Sequence, residues 1–220
     1  MIETPQLPLP LGFARSEPAP FLVGACNRLA AKTVRGWPDW PAPFVLVHGP
    51  PSSGKTHLAS VWAFDEGALV VDAAQLSAGW HADAKLVVVD ALERLKSEEA
   101  LFHLANAIHE RRGGLLLTSR SPAAGLDFAL ADLRTRLKSA VSVEIGPPDE
   151  AFLSELLVVL AEEAQIAIDP AVAAYCVARM ERTHEAAVNL ISALNRRSLA
   201  LKGPLTQKVA AEVLDELGQG

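Results

Sequence analysis

The chain has 220 residues, half of them apolar, with a mean hydropathy of +0.21 and a formal net charge of -6. That much apolar material excludes a disordered chain and suffices for one domain, alone or with a small helical partner. The acidic balance argues against tight, direct binding of duplex DNA, which needs clustered bases; here they come in short groups such as Arg111-Arg112 and Arg196-Arg197.

The opening MIETPQLPLPLGF carries neither the basic start nor the small-residue cleavage site of a secretion signal, and no apolar run approaches the roughly 20 residues that cross a bilayer. A cytoplasmic protein with no membrane partner is expected. Cys26 and Cys176 stand far apart, with neither CxxC nor histidine spacing, so free or buried thiols are expected rather than a disulfide or a zinc site. Residues 1–20 are proline-rich and aperiodic and read as an extended tail; the folded body begins near Phe21. Trp37-Pro38-Asp39-Trp40-Pro41 reads as a rigid surface turn with partly buried indoles.

Five short apolar segments follow: Phe44–Val47, Leu69–Val71, Leu86–Val89, Leu115–Leu117 and Val141–Ile145. Runs that are apolar almost throughout suit parallel strands covered on both faces, and helical patterns fill the intervals. An α/β fold with a mainly parallel five-stranded sheet is expected. Between the third and fourth strands, Ser97-Glu98-Glu99 opens a helix and Arg112-Gly113-Gly114 closes it, with Leu101, Leu104 and Ile108 toward the sheet. After Pro147-Pro148 the pattern is helical throughout. Asp149 caps a helix running through Gln165, Asp169-Pro170 starts a second, a third covers about His184 to Leu201, and a fourth follows Pro204. This predicts a tail at 1–20, an α/β subdomain at 21–147 and an all-helical lid at 148–220.

Gly49-Pro50-Pro51-Ser52-Ser53-Gly54-Lys55-Thr56 satisfies G-x-x-x-x-G-K-[ST] between the first strand and a helix, the context in which that pattern holds phosphates. Its backbone amides would face phosphate oxygens, Lys55 would reach the β- and γ-phosphates, and the Thr56 hydroxyl would ligate Mg²⁺. The expected nucleotide contacts are Gly49, Pro50, Ser52, Ser53, Gly54, Lys55, Thr56 and His57. Asp90, at the end of the third strand, is the expected second holder of the metal. The next position is Ala91, where many ATPases carry the acid that polarises water, and Glu93 reads as a solvated helix residue. Binding is thus better supported than turnover.

Together these features resemble the AAA+ ATPases of the DnaA replication-initiator group and, within it, the short regulatory Hda type. Phe21-Leu22-Val23-Gly24-Ala25-Cys26-Asn27-Arg28-Leu29-Ala30 is similar to the group's box ahead of the P-loop, which implies that the backbone of Val23 and Gly24 meets the adenine. Gly54-Lys55-Thr56-His57-Leu58 continues the likeness. Leu115-Leu116-Leu117-Thr118-Ser119 resembles the sensor I strand and makes Ser119 a sensor candidate. Leu133-Arg134-Thr135-Arg136-Leu137 resembles the stretch that supplies an arginine finger, which implies Arg136 acting on a neighbouring subunit's nucleotide. Three residues depart from the group's pattern: Ala91, Arg120 where an acid ends the sensor I strand, and Glu185 where a sensor II arginine is expected. Arg182 is the substitute sensor candidate.

Gln6-Leu7-Pro8-Leu9-Pro10-Leu11 resembles the peptide by which bacterial proteins dock on the DNA polymerase III sliding clamp, with Gln6, Leu7, Leu9 and Leu11 as the contacts. The resemblance implies ADP or ATP with Mg²⁺ as ligands, and the clamp and initiator DnaA as partners, with self-association left open. The initiator's own DNA-reading helix-turn-helix has no counterpart before Gly220, so action through protein contacts is expected. The implied function is to promote hydrolysis of the initiator's ATP; the rival readings are a stand-alone ATPase acting as helicase or DNA loader, a small-molecule kinase and an inert scaffold.

Overall fold

A computed structural model describes residues 17–77, 83–201 and 205–218. In chain order the elements are α1 (Arg28–Val34), β1 (Phe44–His48), α2 (Lys55–Glu66), β2 (Leu69–Asp72), β3 (Leu86–Asp90), α3 (Glu98–Glu110), β4 (Gly114–Ser119), α4 (Ala131–Lys138) and β5 (Val141–Glu144), then α5 (Glu150–Glu163), α6 (Pro170–Val177), α7 (His184–Leu201) and α8 (Gln207–Gly218). The strands form one sheet in the order β2-β3-β4-β1-β5, and each pairing is parallel. β1 lies inside the sheet between β4 and β5, so its carboxyl end opens where the strand order reverses, the usual place for a ligand crevice.

The two faces of the sheet are both covered, as the apolar runs require. Leu46, Val87, Val89, Leu115 and Leu117 pack against Leu101, Leu104 and Ile108 of α3 and Leu133 and Leu137 of α4. Val45, Val47, Val88 and Leu116 pack against Leu58 and Trp62 of α2 and Ala30 and Val34 of α1. The helices from α5 onward have a core of their own, with Leu153, Leu157, Cys176, Leu190, Leu194 and Val213 at its centre. The indoles of Trp37 and Trp40 meet edge-on at 5.1 Å, and Trp40 stacks on Trp62 at 5.1 Å while its Nε1 donates to the Val34 carbonyl at 3.1 Å.

The helix starts follow capping chemistry. Ser97 accepts from the Ala100 amide, Asp149 from that of Phe152 and Asp169 from that of Ala171. The stops differ from expectation in two places. After α3 the left-handed position is taken by Arg112, at φ 52°, and not by a glycine. Gly113 and Gly114 serve close approach instead: a Cβ on Gly113 would lie 1.9 Å from the Lys85 carbonyl oxygen and one on Gly114 2.7 Å from the Trp37 ring, and Gly114 already belongs to β4. α5 ends at Glu163, because Gln165 turns to φ 58° and lets the Ile166 amide donate back to the Ala161 carbonyl at 2.9 Å. Cys26 and Cys176 are free thiols, and burial pushes that of Cys176 up to about 11. No helix among the described residues is long and apolar enough to cross a membrane.

Candidate functional site

β1 runs into a loop whose shape needs glycine at both ends. A Cβ on Gly49 would lie 2.5 Å from the Ile145 carbonyl oxygen, and Gly54 stands at φ 90° as the residue before α2. Ser52 holds a left-handed φ of 57° without a glycine's freedom, the kind of local strain that collects at functional sites. No side chain caps α2, so the amides of its first turn point their partial positive charge into the loop.

Lys55 opens α2, and its Nζ donates to the carbonyls of Gly49 at 2.9 Å and Pro50 at 2.6 Å, with the Ser53 hydroxyl at 3.3 Å. Burial lowers its pKa; the carboxylates of Glu93 and Asp90 oppose that shift and Arg120 adds to it. The Thr56 hydroxyl lies 3.0 Å from each oxygen of Asp90. Asp90 also accepts from the Thr118 hydroxyl at 2.5 Å, and that hydroxyl in turn accepts from the Ala91 amide at 2.8 Å. Thr56 and Asp90 offer hard oxygen donors side by side. No group of three or more His, Cys, Asp or Glu able to hold a metal occurs among the described residues. The donor set therefore fits Mg²⁺ in the mode where water and phosphate oxygens complete the shell.

Thr118, and not the expected sensor candidate Ser119, has its side chain against Asp90. Successive strand residues face opposite sides, so Leu116 and Thr118 share the α2 side of the sheet with Val88 and Asp90, whereas Ser119 turns away. The Ser119 hydroxyl accepts from the Ser121 amide at 3.1 Å and its carbonyl from the Gly49 amide at 3.3 Å. The period-two register from Asp90 would have found Thr118.

Glu93 is not a freely solvated helix residue. Ala91 adopts a left-handed turn at φ 59°, and a short 3₁₀ segment over Leu92–Arg94 follows. The Glu93 side chain is 27% exposed, 3.0 Å from Arg120 Nε, and accepts from the Arg120 amide at 3.3 Å. Asp72, paired with Asp90 across the sheet, is committed elsewhere, to Arg94 at 2.7 Å and the Ala74 amide at 2.8 Å.

Beside the loop, α5 and α7 close a cavity of about 200 Å³ against Phe21, Asn27 and Ser52–Gly54, with Phe152, Leu160 and His184 on the far wall. Val23 and Gly24 do not line it. Val23 is turned to solvent, the Gly24 amide donates to Asn27 Oδ1 at 2.8 Å, and the Phe152 ring covers Gly24, reaching within 2.3 Å of where a Cβ would stand. Asn27 also donates to the Leu22 carbonyl at 2.9 Å, and His57 Nε2 sits 2.7 Å from that of Ala19. Glu185, at the position where a sensor II arginine was expected, lines a separate groove with Arg179 and Met180, and the substitute candidate Arg182 is ion-paired with Glu150; neither is among the residues lining the cavity. His184, next to Glu185 in the chain, faces it. A sequence pattern gives little warning of that, because one histidine opening a helix is commonplace.

Arg136, in the last turn of α4, is half-buried, with its guanidinium carbon 6.0 Å from the centre of the Phe44 ring and 5.9 Å from that of Phe102. Phe44 begins β1, so Arg136 sits at the end of the sheet opposite the loop. Gln6, Leu7, Leu9 and Leu11 lie outside the described residues.

The sheet order, the loop between β1 and α2, and the helices after β5 define an α/β fold with a parallel five-stranded sheet followed by an all-helical part. No family model and no curated protein matches the chain. Among solved structures it is similar to domain III of the replication initiation protein DnaA from Thermotoga maritima, at 15% identity and a TM-score of 0.75 over 89% of this chain and 94% of that one. It is also similar to a replication initiator DnaA bound to AMPPCP and single-stranded DNA, at 20% identity and a TM-score of 0.66, covering 83% of this chain and 64% of that one, which is under two thirds of its length. A point mutant of RuvB from Thermotoga maritima is similar at 21% identity and a TM-score of 0.63, covering 92% of this chain and 73% of that one. These likenesses are ones of fold.

Proposed function

We propose that this chain is a nucleotide-binding AAA+ regulator of replication initiation that docks on the polymerase sliding clamp and promotes hydrolysis of ATP held by initiator DnaA. The observation that carries the nucleotide part is Asp90, gripped by the hydroxyls of Thr56 and Thr118 at the mouth of the loop that Lys55 fills. The phosphates of ADP or ATP would draw the Lys55 ammonium away from the carbonyls of Gly49 and Pro50, and the α2 amides would face them. Thr56 and Asp90 would hold Mg²⁺, which supplies charge neutralisation at the phosphate oxygens when bound. The helical part, residues 148–220, would act as a lid over the tail-flanked α/β part, residues 21–147.

Arg136 carries the action on the partner. At the far end of β1, about 16 Å of strand away from its own loop, it cannot serve that loop, and this supports a role across an interface. Inserted beside the initiator's nucleotide, its guanidinium would stabilise charge developing on the γ-phosphate. In that scheme the chain's own nucleotide orders the interface, and Gln6, Leu7, Leu9 and Leu11 bring the complex to the clamp. With clamp loaded on DNA, initiator-bound ATP should turn over at least about tenfold more slowly with Arg136→Ala than with the parent; equal rates would remove Arg136 from the scheme. Removal of residues 1–12 should abolish clamp capture.

A stand-alone ATPase, acting as a helicase or DNA loader, is the second reading. It is favoured by the Glu93 carboxylate, whose charge reaches Lys55. Turnover in the absence of any initiator would support it.

A further inference from the structure

His184 is 3% exposed, and among the described residues neither of its ring nitrogens has a hydrogen-bond partner. A buried polar group left unpaired is destabilising and rare in folded chains, so it marks a place where something else completes the bonding. Three buried polar side chains line the cavity, and two are spent. Asn27 serves the Gly24 amide and the Leu22 carbonyl, and the Ser53 hydroxyl takes Lys55 Nζ. The unspent one is His184, set edge-on to the Phe152 ring at 5.6 Å.

Phe21, Leu156, Val159, Leu160 and Val188 give the space most of its wall, Ser52–Gly54 of the phosphate loop form its floor, and His57, which meets the Ala19 carbonyl, and the exposed Glu163 complete the lining. A mostly apolar slot that opens onto a phosphate site and holds one buried polar side chain without a partner is complementary to a flat heterocycle with polar edges. We propose that His184 reads the base of a bound nucleotide: the heterocycle enters the slot, and the neutral imidazole exchanges a hydrogen bond with its edge. The contact rests on the nucleotide-binding reading above and adds to it the group that holds the base. It also shifts base recognition from Val23, which is turned to solvent, and Gly24, which Phe152 covers, to the lid helix α7.

The test compares ADP with inorganic pyrophosphate, which carries the phosphates without the base, by calorimetric titration of the full chain. His184→Phe fills the same space without polar atoms. It should melt at or above the parent without nucleotide, bind ADP roughly threefold to tenfold more weakly, and bind pyrophosphate like the parent. His184→Gln keeps a donor and an acceptor and should retain most of the ADP affinity, which guards against a variant that fails to fold. Parent-like ADP affinity in His184→Phe, or equal weakening for ADP and pyrophosphate, overturns the base contact while leaving nucleotide binding intact. A parent that binds neither ligand overturns both.

Discussion

Arg120 holds Glu93: its Nε lies 3.0 Å from one carboxylate oxygen, and its backbone amide donates to the other at 3.3 Å. Glu93 lies three residues beyond Asp90, and Arg120 is one of the departures from the pattern of the group that the sequence resembles. The pair keeps the Glu93 carboxylate engaged with a cation. Arg120→Ala should therefore raise intrinsic ATP turnover several-fold, and Glu93→Gln in the same background should cancel the gain. Phosphate release measured without any partner checks it; an Arg120→Ala rate equal to the parent's would show that the pair restrains nothing.

Thr118 ties Asp90 to the Ala91 amide through one hydroxyl, at 1% exposure. Thr118→Val keeps the shape and leaves a half-buried carboxylate and amide each short of one partner, so it should cost about 1–3 kcal/mol in chemical denaturation. Ser119→Ala, whose hydroxyl serves one loop amide, should cost less, about 1 kcal/mol. The opposite ranking would contradict the placement of Thr118 on the α2 side.

Burial lowers the imidazole pKa of both His48 and His184 below the ordinary 6.5, and nearby Lys55 adds to the effect at each. The unfolded chain then takes up protons that the folded chain resists, so stability is complete above pH 6.5 and declines as pH falls through and below that value. Melting temperature should fall between about pH 7.5 and 5.5, and the fall should be shallower in His184→Phe. A slope unchanged by that variant would assign the pH effect to other groups.

Gly113→Ala forces a Cβ to within 1.9 Å of the Lys85 carbonyl oxygen, a backbone atom that cannot swing aside. A loss of about 2 kcal/mol or more is expected in denaturant titration, with the α3–β4 corner displaced. Gly67→Ala tests the contrasting case, since open space surrounds that position and its φ of 69° is the sole penalty, about 1 kcal/mol.

Much of this was legible beforehand because it rests on local chemistry. The apolar runs became β1 to β5, Ser97, Asp149 and Asp169 capped the helices assigned to them, and Gly49–Thr56 fell between a strand and a helix. What escaped depends on how the chain turns back on itself. Arg112 and Gln165 adopt left-handed conformations that their residue type does not announce, and the left-handed turn at Ala91 is what carries Glu93 to Arg120. His184 acquires its meaning from α5 and the loop, which lie far away in sequence, and Phe152 covers Gly24 for the same reason.

Titration of ADP with Mg²⁺ into the parent and Lys55→Ala tests most directly whether Gly49–Thr56 hold a nucleotide. Saturable one-to-one binding by the parent, weakened at least about a hundredfold by Lys55→Ala, is the expected result. No binding by the parent, or equal affinity in the two proteins, would contradict a nucleotide held on Gly49–Thr56.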